Sequence, residues 1–134
     1  FIIISENITD SIIQIKNTIN NRLQKDINID SFKEQISKNN LYLTKNHFKY
    51  IDIYSLDSLQ ININKHRLVP KHRIIRNIDE INKILEKCNA TKNQLPIINK
   101  EDQIAKINRM IPGDICEITR ITTKGETLYY RICK

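Results

Sequence analysis

The fold is decided by the stretch Leu68-Val69-Pro70-Lys71-His72-Arg73, which is followed one helix later by Asn93-Gln94-Leu95-Pro96. Pro70 is excluded from the interior of a helix or of a central strand, and it pushes Val69 into an extended conformation. The stretch therefore predicts a joint. An alternating apolar segment precedes it, and a compact run of helix, turn and hairpin follows it, so we expect a domain boundary near residues 65–70.

The chain is long enough for one domain or two small ones, and it carries a net charge of +7 from 22 basic and 15 acidic residues. No acidic residue occurs from 58 through 78, where the basic side chains of the joint are concentrated: Lys65, Arg67, Lys71, Arg73 and Arg76. Such a run is either an ordinary solvated face or a surface for an anionic partner.

The three cysteines, Cys88, Cys116 and Cys133, are odd in number and lack the spacing of a zinc site. They favour free thiols in a reducing compartment rather than a disulfide framework. The histidines are not at ligand spacing either, so we expect neither a metal nor another cofactor. No run of about 20 apolar residues predicts a membrane span. Because residue 1 is Phe rather than Met, we expect the chain to be a fragment.

In the first half, residues 1–5 predict a short buried strand. Thr9 or Asp10 is expected to cap a helix whose apolar stripe faces a core: Ile12, Ile15, Ile19 and Leu23. A capping box at Ser31 predicts a second helix with Phe32 and Ile36 inward. Residues 41–44 are a candidate short strand, and the alternation over 50–54 and 59–63 predicts two half-buried strands around a turn.

In the second half, Asn77-x-x-Glu80 predicts the start of a helix. Its inward face is expected to hold Ile78, Ile81, Leu85 and Cys88. Residues 101–108 predict a short helix with Ile104 and Ile107 inward, and Ile111-Pro112-Gly113-Asp114 predicts a type II turn. Strands over 115–121 and 127–133 are expected to form a hairpin through Lys124-Gly125. The fold class is therefore α+β.

Groups that could perform catalysis do not stand out. Two glycines exclude a Gly-rich phosphate loop, and the acidic pairs Asp79-Glu80 and Glu101-Asp102 lie near helix starts, where acids favour the helix dipole. No acidic residue has Lys two positions further on, which disfavours a common nuclease pattern. We therefore expect a protein that is not an enzyme.

Four short motifs stand in order: Leu68-Val69-Pro70-Lys71-His72, Gln94-Leu95-Pro96, Pro112-Gly113-Asp114 and Tyr130-Arg131-Ile132-Cys133. In this order and spacing, residues 59–134 resemble the assembly domain of the fifth subunit of eukaryotic DNA-directed RNA polymerases, which has a counterpart in the archaeal enzymes. Residues 3–11 resemble the end of that family's N-terminal jaw domain. The sequence departs from the family at Asp10, where Pro is usual, and at Ile97, where Arg is usual.

The resemblance implies a remnant of the jaw domain over residues 1–66, with an insertion near 20–50. A small mixed α/β assembly domain ending in a β-hairpin would follow over 67–134. It also implies a non-catalytic structural subunit that docks on the largest polymerase subunit, among other subunits, and helps hold downstream double-stranded DNA without reading its sequence. No membrane is implied. The location would be the nucleus for a cellular protein, or the virion or a cytoplasmic replication site for a viral one.

The resemblance also suggests which residues make these contacts. The expected DNA-binding residues are Asn7, Thr9, Ser11 and Lys16, and the expected partner-binding residues are Lys71, His72, Arg73, Gln94 and Arg131. Two alternatives stay open at this point. The motifs containing Gln94 and Arg131 could merely shape the small domain, and the chain could be a free-standing basic module that binds nucleic acid.

Overall fold

The structure, a computed structural model, describes residues 2–4, 7–25, 40–43, 47 and 50–134. The chain divides into two compact units. The first unit draws on Phe1–Lys33 and Thr44–Asn62, and the second unit on Glu34–Leu43 and Ile63–Lys134. Helices and strands are mixed and the chain ends in a β-hairpin, which confirms the predicted α+β class. The predicted helix at Ser31, with Phe32 and Ile36, lies outside the described residues, as does much of the predicted insertion near 20–50.

The first unit pairs two short strands in parallel and carries one long helix. Its described elements are β1 (Ile2–Ile4), α1 (Asp10–Lys25), β2 (Ile53–Ser55) and α2 (Leu56–Leu59). Helix α1 begins where the sequence predicts, because the N–H of Ile13 donates to the carbonyl of Thr9 at 3.1 Å.

The predicted apolar stripe of α1 is wrong at two positions. Ile15 and Ile19 are 59% and 39% exposed, whereas Lys16 and Asn20 are buried. The orientation of the helix follows from the Asn20 side chain. Its amide accepts from the N–H of Ile51 at 2.8 Å and donates to the carbonyl of Ile51 at 3.0 Å. Two partly buried hydrogen bonds to the backbone of one residue outweigh the apolar pattern, which cannot reveal them.

Two strand predictions in this half also need correction. β1 forms, but Ile2 and Ile3 are exposed because the described part of its sheet holds just one other strand. The expected strand over 59–63 is wrong. Residue 59 instead ends α2, whose start is capped by the Ser55 side chain accepting from the N–H of Ser58, and a 3₁₀ turn follows over Ile63–Lys65.

The second unit is built on a four-stranded sheet with strand order β3-β5-β6-β4. β3, β5 and β6 are antiparallel neighbours, and β4 runs parallel to β6. The elements in chain order are β3 (Lys71–Ile75), α3 (Ile78–Lys87), β4 (Ile97–Ile98), α4 (Gln103–Ile107), β5 (Ile115–Thr122) and β6 (Gly125–Cys133). β3 and β4 were not predicted from the sequence. Instead of the candidate strand over 41–44, Leu41 forms an isolated bridge with Asn77, and residue 44 lies outside the described part.

Both faces of this sheet are covered, because its central strand alternates between two clusters. The α3 face contains Ile75, Ile81, Ile84, Leu95, Ile115 and Ile132. The α4 face contains Ile98, Ala105, Met110, Cys116, Ile118 and Cys133. Residues 115, 116 and 118 of β5 are therefore all buried, as in a strand that packs on two layers.

The start of α3 follows its sequence signal, whereas α4 begins two residues after the predicted start at 101. The side chain of Asn77 accepts from the N–H of Glu80 at 3.1 Å, and that of Asp102 accepts from the N–H of Ile104 at 2.8 Å. The expectation that Cys88 faces inward is wrong: it is exposed, while Ile84 is buried. A helix that ends at Lys87 leaves Cys88 as its cap, and the inward face is completed one turn earlier.

The turn before β5 has the predicted geometry. Gly113 has φ of +99°, and the N–H of Asp114 donates to the carbonyl of Ile111 at 2.9 Å. A type II turn needs positive φ at this position, which glycine adopts without a steric penalty.

The terminal hairpin extends beyond its neighbour. The predicted hairpin forms, but its loop is Thr123-Lys124 rather than Lys124-Gly125: Thr122 pairs with Gly125, so β5 and β6 are paired to the tip. β3 begins only at Lys71, which lies opposite Thr119. The last three residues of β5 therefore have β6 on one side and no strand on the other side within the described part of the chain.

Candidate partner-binding surface

The basic stretch enters the sheet immediately after Pro70. Lys71 and Arg73 lie on the α3 face of β3, and His72 lies on the α4 face, because successive side chains of a strand alternate. Lys71 is exposed and His72 is half-buried, with its Nδ1 2.7 Å from the carbonyl oxygen of Pro70. The joint thus presents different side chains to the two faces of the sheet.

Arg73 connects three elements of the second unit. Its guanidinium donates to Glu117 of β5 at 2.9 Å and to Glu80 of α3 at 2.5 Å. The hydrogen bond to Glu117, followed by the bond to Glu80, raises the pKa of Arg73. The same bond from Arg73 lowers the pKa of Glu117. Arg73 therefore has a structural role in addition to any contact with a partner.

Arg76 forms an ion pair that is more buried than those of Arg73. It forms two parallel hydrogen bonds with the carboxylate of Asp114, of 3.1 Å to Oδ1 and 2.7 Å to Oδ2. Asp114 is fully buried and also accepts from the N–H of Ile111 at 3.0 Å. This pair ties the end of β3 to the turn before β5. Lys65, Arg67 and Lys71 remain exposed, with no ion pair to any described residue.

Gln94 and Arg131 each have a local structural contact. The side-chain oxygen of Gln94 accepts from the N–H of Thr91 at 2.8 Å and so caps a 3₁₀ turn. Arg131 donates to the carbonyl of Ile97 at 3.2 Å, which braces β4 against β6. These contacts favour a role in shaping the domain, and contact with a partner stays a prediction for both residues.

The structure also brings together residues that no sequence pattern singled out. An open groove of about 820 Å³ runs beside the overhanging end of β5; we call it the hairpin groove. Its lining comes from the segment before β3 and from the hairpin: Asn64, Arg67, Leu68, Val69, Pro70, Lys71, Thr119, Arg120, Ile121, Thr122 and Glu126. Leu68 and Ile121 are 76% and 84% exposed. The sequence carried a partial signal, since Ile121 is an apolar residue at the end of a predicted strand, but the strand β3 that ends beside it was not predicted.

The residues expected to contact DNA lie around the start of α1. Asn7, Thr9 and Ser11 are exposed, and their side chains are of the kind that bind phosphate. Lys16 is different, because it is just 4% exposed on the face that also buries Asn20. In this structure Lys16 does not present its amine at the surface.

The described residues include possible metal ligands and three thiols. No group of three or more His, Cys, Asp and Glu among them is arranged to hold a metal ion. All three cysteines are free. Burial raises the pKa of both Cys116 and Cys133 to about 11, so neither thiol ionises readily near neutral pH. Within the described ranges, no helix has the length and apolar character that crossing a bilayer requires.

Fold and surface together define a small α+β domain with a two-sided core, an exposed basic joint and an overhanging hairpin. Residues 61–133 match the family model of the C-terminal domain of RNA polymerase Rpb5. The chain belongs to that family.

The relatives extend this finding. The chain is 41% identical over 78 residues to DNA-directed RNA polymerase subunit Rpo5 of Sulfurisphaera tokodaii, covering 58% of this chain and 92% of the relative. It is 45% identical over 74 residues to subunit Rpo5 of Pyrococcus horikoshii, covering 54% and 89%. DNA-directed RNA polymerase V subunit 5A of Arabidopsis thaliana is 28% identical over 125 residues, which is 93% of this chain but 47% of the plant protein. The match to the plant subunit thus includes much of the first unit.

Proposed function

We propose that this chain is a non-catalytic structural subunit of a multisubunit DNA-directed RNA polymerase. The observation that carries the proposal is the family match over residues 61–133, which contains all four described strands of the sheet in the second unit. Two archaeal relatives, covered to 92% and 97% of their length by their match to this chain, are named as subunits of DNA-directed RNA polymerase. The chain would be located with its polymerase, in the nucleus if cellular, or in the virion or a cytoplasmic replication site if viral.

The second unit docks on the largest polymerase subunit in this proposal. Lys71 and His72 are the best supported contacts, because Lys71 is exposed and neither side chain is held by an ion pair in the described part. Arg73 keeps a side chain that is half exposed while it bridges two carboxylates, so it orders the docking surface and borders it. Gln94 and Arg131 act mainly by fixing the shape of that surface.

The first unit contributes to holding downstream duplex DNA. Asn7, Thr9 and Ser11 offer polar side chains at the start of α1, where N–H groups favour phosphate and contacts carry no sequence information. Asp10 adds a negative charge next to these residues, so the contact would be weak by itself. Lys16 takes part only after its side chain leaves the buried face of α1.

Affinity capture tests the docking step. The tagged chain is expected to recover the two largest polymerase subunits from its native source in near-equal amounts, as measured by mass spectrometry. Lys71→Glu should lower this recovery roughly three- to tenfold, because it reverses one exposed interfacial charge. Lys83→Glu, which reverses the charge of an exposed lysine on α3 instead of β3, is the matched control. Recovery of the chain without polymerase subunits would refute the proposal.

A free-standing nucleic-acid-binding module is the competing function, and the exposed cations Lys65, Arg67 and Lys71 favour it. Two of the five cations of the basic stretch are already neutralised within the fold, which lowers the charge available for phosphate. Salt-dependent binding of the isolated chain to a short DNA duplex separates the two functions. Tight binding that falls steeply with salt would favour the module, whereas weak binding is expected of a subunit.

A further inference from the structure

The hairpin groove combines exposed apolar side chains with an open edge of the sheet. Leu68 and Ile121 are the most exposed apolar residues of the second unit among those described, and both line the groove. One exposed leucine or isoleucine is ordinary, but two that share a groove form a patch that water solvates poorly. The patch lies outside both clusters of the core, so folding does not account for it.

The main chain of Ile121 is directed into the same groove. Thr122 and Gly125 close a two-residue hairpin, and so they form a hydrogen-bonded pair. In an antiparallel ladder the direction of the N–H and C=O groups alternates from one residue to the next. Thr122 therefore bonds to β6, whereas Ile121 directs its N–H and C=O away from β6, toward the side on which β3 pairs with Thr119.

The chain segment that precedes β3 does not occupy this edge. The pairing of β3 with β5 stops at Lys71 and Thr119. Val69, two residues before Lys71, donates its N–H to the carbonyl of His66 at 3.0 Å instead. On this side, the peptide groups of Ile121 have no backbone partner among the described residues. An exposed strand edge of this kind is a template for pairing with another extended chain.

The charge of the groove limits what can pair there. Arg67, Lys71 and Arg120 line it, against a single acid, Glu126. Arg120 is held over the ring of Tyr129, with its guanidinium carbon 4.8 Å from the ring centroid. The lining of the groove therefore combines an excess of positive charge with exposed apolar side chains.

We infer that the hairpin groove binds an extended peptide segment of a neighbouring polymerase subunit. The segment pairs with the open edge at Ile121, places an apolar side chain against Leu68 and Ile121, and carries acidic residues toward the three cations. This inference rests on the proposed docking function. Pairing at an exposed sheet edge supplies affinity through the main chain, and alternate side-chain contacts supply specificity. DNA would use the cations but would leave the apolar pair and the strand edge unused.

Site-specific photocrosslinking in the assembled polymerase tests the inference. The chain carries p-benzoylphenylalanine in place of Ile121, and after irradiation the crosslinked peptide is sequenced by mass spectrometry. The expected adduct is with a segment of another subunit in which acidic residues outnumber basic ones around apolar positions. An adduct with DNA, an adduct with a basic segment, or no adduct would each overturn the inference.

A synthetic peptide of the crosslinked segment then measures the contribution of charge. Binding to the full chain should weaken about tenfold in the Arg67→Glu variant, because an exposed charge at the site is reversed. Lys83→Glu on α3 is the control, and it should leave the affinity unchanged. Equal affinities for the wild type and Arg67→Glu would contradict the charge argument. If polymerase subunits are captured but position 121 gives no adduct, peptide binding at the hairpin groove alone is refuted. If they are not captured, the polymerase function itself is refuted.

Discussion

The carboxylate of Asp114 lies at the centre of a local network in the second unit. It is fully buried and receives two hydrogen bonds from Arg76, as well as one from the backbone of Ile111. A buried carboxylate that loses its charge leaves the guanidinium without compensation, which costs more than the loss of an exposed pair.

Asp114→Asn should therefore lower the free energy of unfolding by about 2–4 kcal/mol. Denaturant-induced unfolding followed by circular dichroism measures the change. Asp102→Asn is the matched control, since asparagine caps a helix about as well as aspartate and the expected change is within about 0.5 kcal/mol. Equal losses in the two variants would show that the buried pair has no special weight.

The lowered pKa of Glu117 predicts how the stability of the second unit depends on pH. Arg73 holds the pKa of this carboxyl below its ordinary value of 4.5, and Tyr130 adds a hydrogen bond in the same direction. A lowered pKa in the folded state means that the stabilisation is present above the ordinary pKa and is lost as pH falls through the lowered value.

Between pH 6 and pH 3, the wild type should therefore lose more stability than Glu117→Gln does. The difference is expected to be roughly 0.5–1 kcal/mol, because Arg73 is half exposed and solvent screens the pair. Denaturation midpoints across this range give the comparison. Glu86→Gln, on the exposed side of α3, serves as the reference and should follow the wild type; identical slopes in all three proteins would refute the assignment.

At the scale of elements, β5 changes character along its length. Ile118 is buried on the α4 face, whereas Ile121, three residues further on, projects into the hairpin groove. Both are isoleucines in one strand, so they have the same intrinsic preference for β structure. A comparison of the two positions therefore isolates the effect of side-chain burial on stability from that of β propensity.

Ile118→Ala should cost about 2–4 kcal/mol, the usual range for emptying a buried aliphatic site. Ile121→Ala should change the free energy of unfolding by no more than about 0.5 kcal/mol. Chemical denaturation of the two variants is sufficient to measure both values. A large loss at position 121 would mean that the end of the hairpin is needed for folding, and the groove would no longer be a surface left for a partner.

The elements also show which features a sequence can predict. The cap at Asn77 and the turn at Gly113 were predictable because each signal acts within four residues. The exposed Ile15 was not, since a hydrogen-bonded contact between Asn20 and Ile51 sets the orientation of α1. An apolar stripe shows that a helix has an apolar side, but it does not determine which side is buried. A polar contact with a residue distant in sequence can bury a different side.

The candidate site divides in the same way. Lys71 and His72 were selected through a family resemblance, and their positions at the start of a strand suit a surface role. Glu117, one partner of Arg73, and Asp114, the partner of Arg76, lie 44 and 38 residues further along the chain, so these ion pairs were invisible to local patterns. The hairpin groove was missed because it depends on where β3 stops relative to β5.

At the scale of the whole molecule, buried apolar residues are distributed unequally. Of the buried hydrophobic residues among those described, all except Tyr54 belong to the second unit. Local stability follows the number of buried apolar contacts and protected hydrogen bonds. The second unit should therefore determine global unfolding.

Amide hydrogen exchange should be about a hundredfold slower in the buried first part of β5 than in α1, because the first unit has few buried apolar residues and needs less energy to open. Mass spectrometry of peptides from residues 115–119 and 12–20 gives the two rates under native conditions. Equal protection in both peptides would show that the two units unfold together, in conflict with the distribution of the core.

The three cysteines differ in exposure, so the number of thiols that react distinguishes the folded state from the unfolded state. Cys88 is exposed at the end of α3, whereas Cys116 and Cys133 are buried beneath the α4 face, where burial raises the pKa of each to about 11. A thiol-reactive dye should therefore label one site quickly in the native protein and two more only on unfolding. A fluorescent label can be attached at Cys88 without any substitution. The rate at which Cys116 and Cys133 are labelled then measures the rate at which the sheet opens.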